Sequence, residues 1–237
     1  MSSSALSQVR KDLKKQSSKR KAKVLARFFK TGPGEYAAGD IFIGVMVPDT
    51  RTVALGHAGL SLKDTAELLK SKIHEERLTA LLILIAQFRR SGPKNRKKIY
   101  QIYLKNTRHI NNWDLVDLSA EHIVGAYLSD KDKKILYALA RSKMLWERRI
   151  AILATFHFIR NQKFSQTLKI AKILLTDEED LIHKAVGWLL REVGKRDMAL
   201  EEEFLKKYYP NMPRTMLRYA IERFPERRRQ AFLKGRT

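Results

Sequence analysis

Trp113 and Asp117 stand four residues apart in Asn112-Trp113-Asp114-Leu115-Val116-Asp117, so on a helix they share one face, an indole beside a carboxylate. The chain around them carries 48 Lys+Arg against 25 Asp+Glu, a formal net charge of +23. A surface of that sign attracts polyanions, of which nucleic acid is the commonest. A carboxylate placed there opposes the attraction, unless a cation forms on the bound nucleic acid. The sugar of a nucleoside whose base is leaving is such a cation. One carboxylate near C1′ stabilises it and orients water, and each aromatic face adds a cation–π attraction of about 0.5–2 kcal/mol. An ordinary glycoside hydrolase needs a second carboxyl group to protonate its leaving group, so one carboxylate suffices only where the departing base already carries its charge.

Other readings of these residues stay open. Asp117 could pair with Arg149, and Trp188 taken alone reads as core. Asp114 lies about 100° around the helix from Trp113 and reads as a capping or ion-pairing residue. Arg148 competes with Arg149 for the same task.

The elements that position these groups read as helix after helix. Residues 1–20 read as a basic start, either disordered or a first helix with a frayed beginning, whose lysines either touch phosphate or lie in solvent. Thr31 to Asp40 is a glycine-containing connector without the Gly-Lys-Ser/Thr ending of a phosphate loop. Ile41 to Val47 is apolar and either extended or helical. Ser61-Leu-Lys-Asp64 has the form of a capping box with Asp in place of Glu. Leu62, Ala66, Leu69 and Ile73 follow at helical spacing, then Leu78, Leu81, Leu82, Ile85 and Phe88, until Ser91-Gly92-Pro93 ends the helix. Lys94, Arg96, Lys97 and Lys98 read as a basic run between helices, and Arg227-Arg228-Arg229 with Lys234 and Arg236 as a basic tail.

Glu75-Glu-Arg77-Leu-Thr-Ala-Leu-Leu, Trp146-Glu-Arg-Arg149-Ile-Ala-Ile-Leu153 and Ile182-His-Lys184-Ala-Val-Gly-Trp-Leu189 resemble one another. Arg77 to Arg149 is 72 residues and Arg149 to Lys184 is 35, which places a missing middle repeat at Trp113. Repeating helix pairs of this length build α-solenoids. The reading is therefore all-α, a single domain over residues 1–237, with Arg77, Trp113, Arg149 and Lys184 at one repeat position. Asp117 and Trp188 follow one turn on. Equivalent positions should line a concave inner surface.

At these segments the sequence resembles the AlkD-type DNA alkylation-repair glycosylases, HEAT-like right-handed solenoids, strongly from about residue 110 to 195. The resemblance implies a concave DNA-binding groove and excision of N3- and N7-alkylated purines from duplex DNA without base flipping. It implies that Asp117 is the catalytic carboxylate, that Trp113 and Trp188 flank the lesion's deoxyribose, and that Arg149 and Arg191 hold the backbone. Lys184 matches a family lysine. Phe28 stands where the family has an aromatic hydroxyl, and Met46 where it has an amide.

The expected function is thus a monofunctional DNA glycosylase acting as a monomer on alkylated duplex DNA, with phosphate contacts from Arg149, Arg191, Lys184, Arg148 and Arg77. The rival readings are a non-catalytic HEAT-like DNA-binding protein and an adaptor for acidic proteins. No motif marks a Schiff-base lysine, and the chemistry calls for no metal or organic cofactor. The chain has no cysteine, which excludes disulfides and thiolate metal sites. Its six histidines, His57, His74, His109, His122, His157 and His183, show no zinc-ligand spacing and are expected at the surface or at helix ends. The start of the chain lacks a signal-peptide pattern and no apolar run reaches the ~18 residues of a membrane span, so a bacterial cytoplasmic location is expected.

Overall fold

The computed structural model describes residues 4–235, so Arg236 of the basic tail and the first three residues lie outside the description. The regular elements among the described residues are helices, together with an isolated bridge between Ile41 and Ile73. No described helix is long and apolar enough to cross a membrane. The chain divides into two compact units at Ser119 and Ala120.

The first unit contains α1 (Ser4–Lys15), α2 (Lys19–Phe28), α3 (Val47–Gly56), α4 (Leu62–Leu68), α5 (His74–Arg90), α6 (Pro93–Lys105) and α7 (Trp113–Asp117). Helix α5 is its axis, with α1, α3, α4, α6 and α7 packed on it. Leu78, Leu81, Leu82, Ile85 and Phe88 are buried, as their spacing predicts. Helix α1 seats Leu6, Val9 and Leu13 in the core. One apolar stripe suffices to dock this helix, whose other face is basic. Helix α2 buries no residue and leaves Phe28 62% exposed.

Local chemistry explains the boundaries. The Ser61 hydroxyl accepts from the Asp64 N–H at 3.1 Å and donates to the Asp64 carboxylate at 2.8 Å. Helix α5 stops at Arg90, and Pro93 opens α6, so Lys94, Arg96, Lys97 and Lys98 lie in the first turns of a helix rather than in a loop. The segment from Ile41 to Met46 is non-helical and is stapled to α5. The Glu75 carboxylate accepts the backbone N–H groups of Ile43, Gly44 and Val45 at 2.8–3.2 Å. Gly44 has φ +83°, and a Cβ there would lie 2.1 Å from the Ser18 carbonyl oxygen, so the close approach of these two backbones requires glycine.

The second unit opens on a π-helical turn, Glu121–Gly125, followed by α8 (Lys134–Ala140), α9 (Leu145–Ala154), α10 (Phe156–Arg160), α11 (Ser165–Ile173), α12 (Asp180–Gly194), α13 (Met198–Tyr208), α14 (Arg214–Ala220) and α15 (Glu226–Leu233). Helix α12 is the hub, touching α9, α11, α13 and α14. Gly187 lets α14 come close, since a Cβ there would meet the Met216 carbonyl oxygen at 2.4 Å. Arg227, Arg228 and Arg229 belong to α15, which is anchored by buried Phe232.

Glu201 on α13 is 1% exposed, and its Oε1 has no hydrogen-bond partner among the described residues. Burial pushes its carboxyl up to about 9, against the lowering influence of Arg191. Folded protein thus holds a proton that unfolded protein releases near the ordinary value of 4.5. Stability must fall as pH rises between those two values. Glu201→Gln is expected to remove this slope and to be more stable than wild type at pH 8–9 by roughly a few kcal/mol. Urea denaturation of both proteins from pH 5 to 9 checks it, and parallel profiles would refute a neutral Glu201.

Candidate active site

Helix α7 is five residues long, barely more than one turn, and carries both Trp113 and Asp117. The Asn112 side chain caps it by accepting the Trp113 N–H at 2.8 Å. Trp113 is half-buried and stacks on Phe29, with ring centroids 5.2 Å apart and planes inclined by 24°. Phe28 meets its ring edge-on at 6.0 Å, and its indole N–H donates to the Tyr36 hydroxyl at 3.3 Å. Asp117 is half-buried at the last position of the helix. Behind it lies the buried phenol of Tyr103, hydrogen-bonded to the Ser119 hydroxyl at 2.9 Å. Burial pushes that phenol's ionisation upward against the Ser119 hydrogen bond, and the negative charge of Asp117 adds to the rise.

Asp114 faces inward. Its Oδ2 lies 2.8 Å from His74 Nε2, and its Oδ1 accepts the Leu115 N–H at 2.8 Å. It therefore caps and pairs, as its place on the helix predicts, although its partner is a histidine rather than Lys or Arg. His74 begins α5 but is only 2% exposed, so the expectation of a surface or helix-end histidine holds for its position and not for its burial. The connector from Thr31 to Asp40 does more than connect: it brings Tyr36 to Trp113 and Asp40 to Arg77.

The second unit carries Arg148, Arg149, Lys184, Trp188 and Arg191. Trp188 on α12 is half-buried, with Phe156 edge-on at 5.6 Å. The Arg160 guanidinium lies 4.7 Å from the Phe156 ring centroid. Glu192 is buried, which opposes its charge, yet hydrogen bonds from Lys195, Arg196 and the Trp188 indole hold its carboxyl below the usual range. Lys184 pairs with Asp180 at 2.7 Å, and its side chain is 43% exposed. Arg191 pairs with Glu222. Arg149 is 5% exposed and donates to the Leu181 carbonyl.

Arg77 and Arg148, also expected on phosphate, are likewise engaged within the protein. Arg77 is 3% exposed and donates to Asp40 at 2.7 Å and to the Ser71 carbonyl at 3.0 Å. Arg148 donates to both oxygens of Asp177, at 2.6 and 3.2 Å, and to the carbonyls of Ser142 and Lys143. Each guanidinium is engaged on the turn that precedes its own helix.

These contacts also correct the repeat register. Arg77 reaches the carbonyl of Ser71, Arg148 that of Ser142, and the His183 ring that of Asp177. In each repeat the residue at the start of the turn also accepts the N–H two residues on. Arg77, Arg148 and His183 are therefore equivalent. Trp113, as the first residue of α7, matches His74, Leu145 and Asp180, not Arg77. Asp117 becomes the fifth helical residue, matching Leu78, Arg149 and Lys184. One repeat position thus carries an anion in the first unit and two cations in the second.

A family model described as DNA alkylation repair enzyme matches residues 9–224. Among solved structures, one described as a predicted DNA alkylation repair enzyme from Enterococcus faecalis is similar, with a TM-score of 0.69 and 16% identity. The match covers 89% of this chain and 98% of that one, and at this identity it shows a shared fold. No curated protein matches the chain.

Proposed function

Because the chain belongs to the family of DNA alkylation repair enzymes, we propose that it is a monofunctional glycosylase that hydrolyses the N-glycosidic bond of cationic N3- or N7-alkylated purines in duplex DNA. The observation that carries this reading is the pairing of Trp113 and Asp117 on one short helix of a chain whose net charge is +23. In the proposed reaction the bond between C1′ and the purine breaks with its electron pair passing to the base, which leaves neutral. Water adds to C1′ and loses a proton to Asp117 or to solvent. Asp117 stabilises the positive sugar, an electrostatic contact whose removal typically costs ~10²–10³ in rate. Trp113 contributes its ring face, held in orientation by Phe29 and Tyr36.

Lys184 and Arg191 are proposed to meet the DNA backbone, with Trp188 against deoxyribose; Arg149, 5% exposed and donating to the Leu181 carbonyl, would have to leave that contact to join them. Phosphate contacts position a duplex without reading its sequence, as a lesion-directed enzyme requires. Arg77 and Arg148 are left to their loops. Phe28, exposed beside Trp113, is proposed to touch DNA through an apolar ring that lacks the family's hydroxyl; the Tyr36 hydroxyl reaches Trp113 from the neighbouring loop.

The test is single-turnover incubation with duplexes carrying 7-methylguanine or 3-methyladenine. Free base should be released and an abasic site left, with the strand uncut until alkali is added. Binding without release of either base would refute the enzyme and favour a non-catalytic DNA-binding protein. Strand scission accompanying release would refute the monofunctional assignment.

A further inference from the structure

Behind α7 four charged side chains meet out of water. His74 Nε2 lies 2.8 Å from Asp114 Oδ2, and Nδ1 lies 3.4 Å from Asp40 Oδ2, which also accepts from Arg77 at 2.7 Å. The four side chains are 2–7% exposed. A neutral imidazole has one N–H and one lone pair, so it can donate to one carboxylate but not to two. Only the imidazolium satisfies both contacts, and only then do two anions and two cations balance. Burial opposes that charge, while the hydrogen bonds to Asp114 and Asp40 raise the ring's affinity for its proton.

The same ring also reaches Trp113 through its flat faces. It stacks on Phe42 at 4.5 Å and lies 5.1 Å from Phe29, the ring on which Trp113 stacks. Charged groups face His74 from three elements: Asp40 from the connector, Asp114 from α7 and Arg77 from α5 itself. A helix of one turn has almost no stability of its own, so the direction in which α7 presents its residues must be imposed from outside. The Asp114 carboxylate does this by sharing its oxygens between His74 and the first turn of α7.

We propose that His74, bridging Asp40 and Asp114 as an imidazolium, is the positioning residue that sets Trp113 and Asp117 for base release. The proposal rests on the glycosylase reading of Asp117. It gives the reaction a dependence on a proton that no reacting atom exchanges.

The experiment is a double-mutant cycle with His74→Gln, Asp114→Asn and both together, read by single-turnover release of 3-methyladenine and by duplex affinity. Each single variant should release base about 10²-fold more slowly, the cost typical of a small misplacement, with duplex affinity retained. The double variant should be no slower than either, because one pair is broken in all three. The ratio of wild-type to His74→Gln rate should fall towards one as pH rises through the titration of His74. Normal rates in variants that merely melt earlier, or additive losses, would overturn the proposal.

Should these variants fail to fold, the wild-type imidazole resonances decide. A ring with two slowly exchanging N–H protons at pH 7.5 supports the bridge, and a neutral ring there overturns it. Wild type that releases no base refutes the glycosylase reading, and the same resonances still report on the bridge.

Discussion

Asp117→Asn is expected to slow single-turnover base release by about 10²–10³-fold while duplex affinity changes little. The substitution keeps the size of the side chain, removes its charge and replaces one acceptor oxygen with an N–H donor. Asp117 is half-buried at the end of α7, so stability should change little. The charge acts most strongly on the sugar cation that forms as the bond breaks, so its loss should show mainly in rate and only weakly in ground-state binding. Asp114, three residues earlier, supplies the contrast. It is enclosed against His74, so Asp114→Asn should lower both stability and rate. Equal release by wild type and Asp117→Asn would leave the enzyme standing and remove Asp117 from its chemistry. Loss of duplex binding in Asp117→Asn would show that the residue shapes the surface and not the transition state.

Much of the fold was legible because helical spacing is a local property. The apolar positions of α5, its end at Ser91-Gly92-Pro93 and the helical setting of Trp113 and Asp117 follow from neighbours a few residues apart. The repeat was legible too, but its register slipped. Comparing side chains paired Arg77 with Trp113 and Arg149. The turns that open each helix, marked by Ser71, Ser142 and Asp177, pair Arg77 with Arg148. Capping geometry fixes where a helix starts, whereas long side chains of similar type recur at several steps of it.

What was not legible is the polar interior. Asp40, His74 and Asp114 come from a connector, a helix start and another helix, with 34 and 40 residues between partners. No local pattern announces that a histidine will bridge two carboxylates across such distances. The same gap led Arg77 and Arg148 to be read as phosphate contacts. In a chain with 48 basic residues an arginine is read as solvent-facing unless its carboxylate is known, and Asp40 and Asp177 lie 37 and 29 residues away.

Arg77→Ala is the variant in which those two roles part. If Arg77 is structural, its removal leaves Asp40 enclosed with His74 alone, and the Ser71 carbonyl loses its donor. Removing one partner of a buried ion pair typically costs about 3–5 kcal/mol, and urea denaturation should show a loss of that size in the first unit. Arg77→Lys keeps the charge but cannot fork to both acceptors, so it should fall between Arg77→Ala and wild type. For the folded fraction of either variant, the slope of log affinity for duplex DNA against log salt should match wild type, since no phosphate contact has gone. A residue bound to phosphate behaves in the opposite way: its loss lowers that slope by about one and leaves stability nearly untouched. A flatter slope with unchanged denaturation would return Arg77 to the DNA surface and make its enclosure beside Asp40 a property of the DNA-free state.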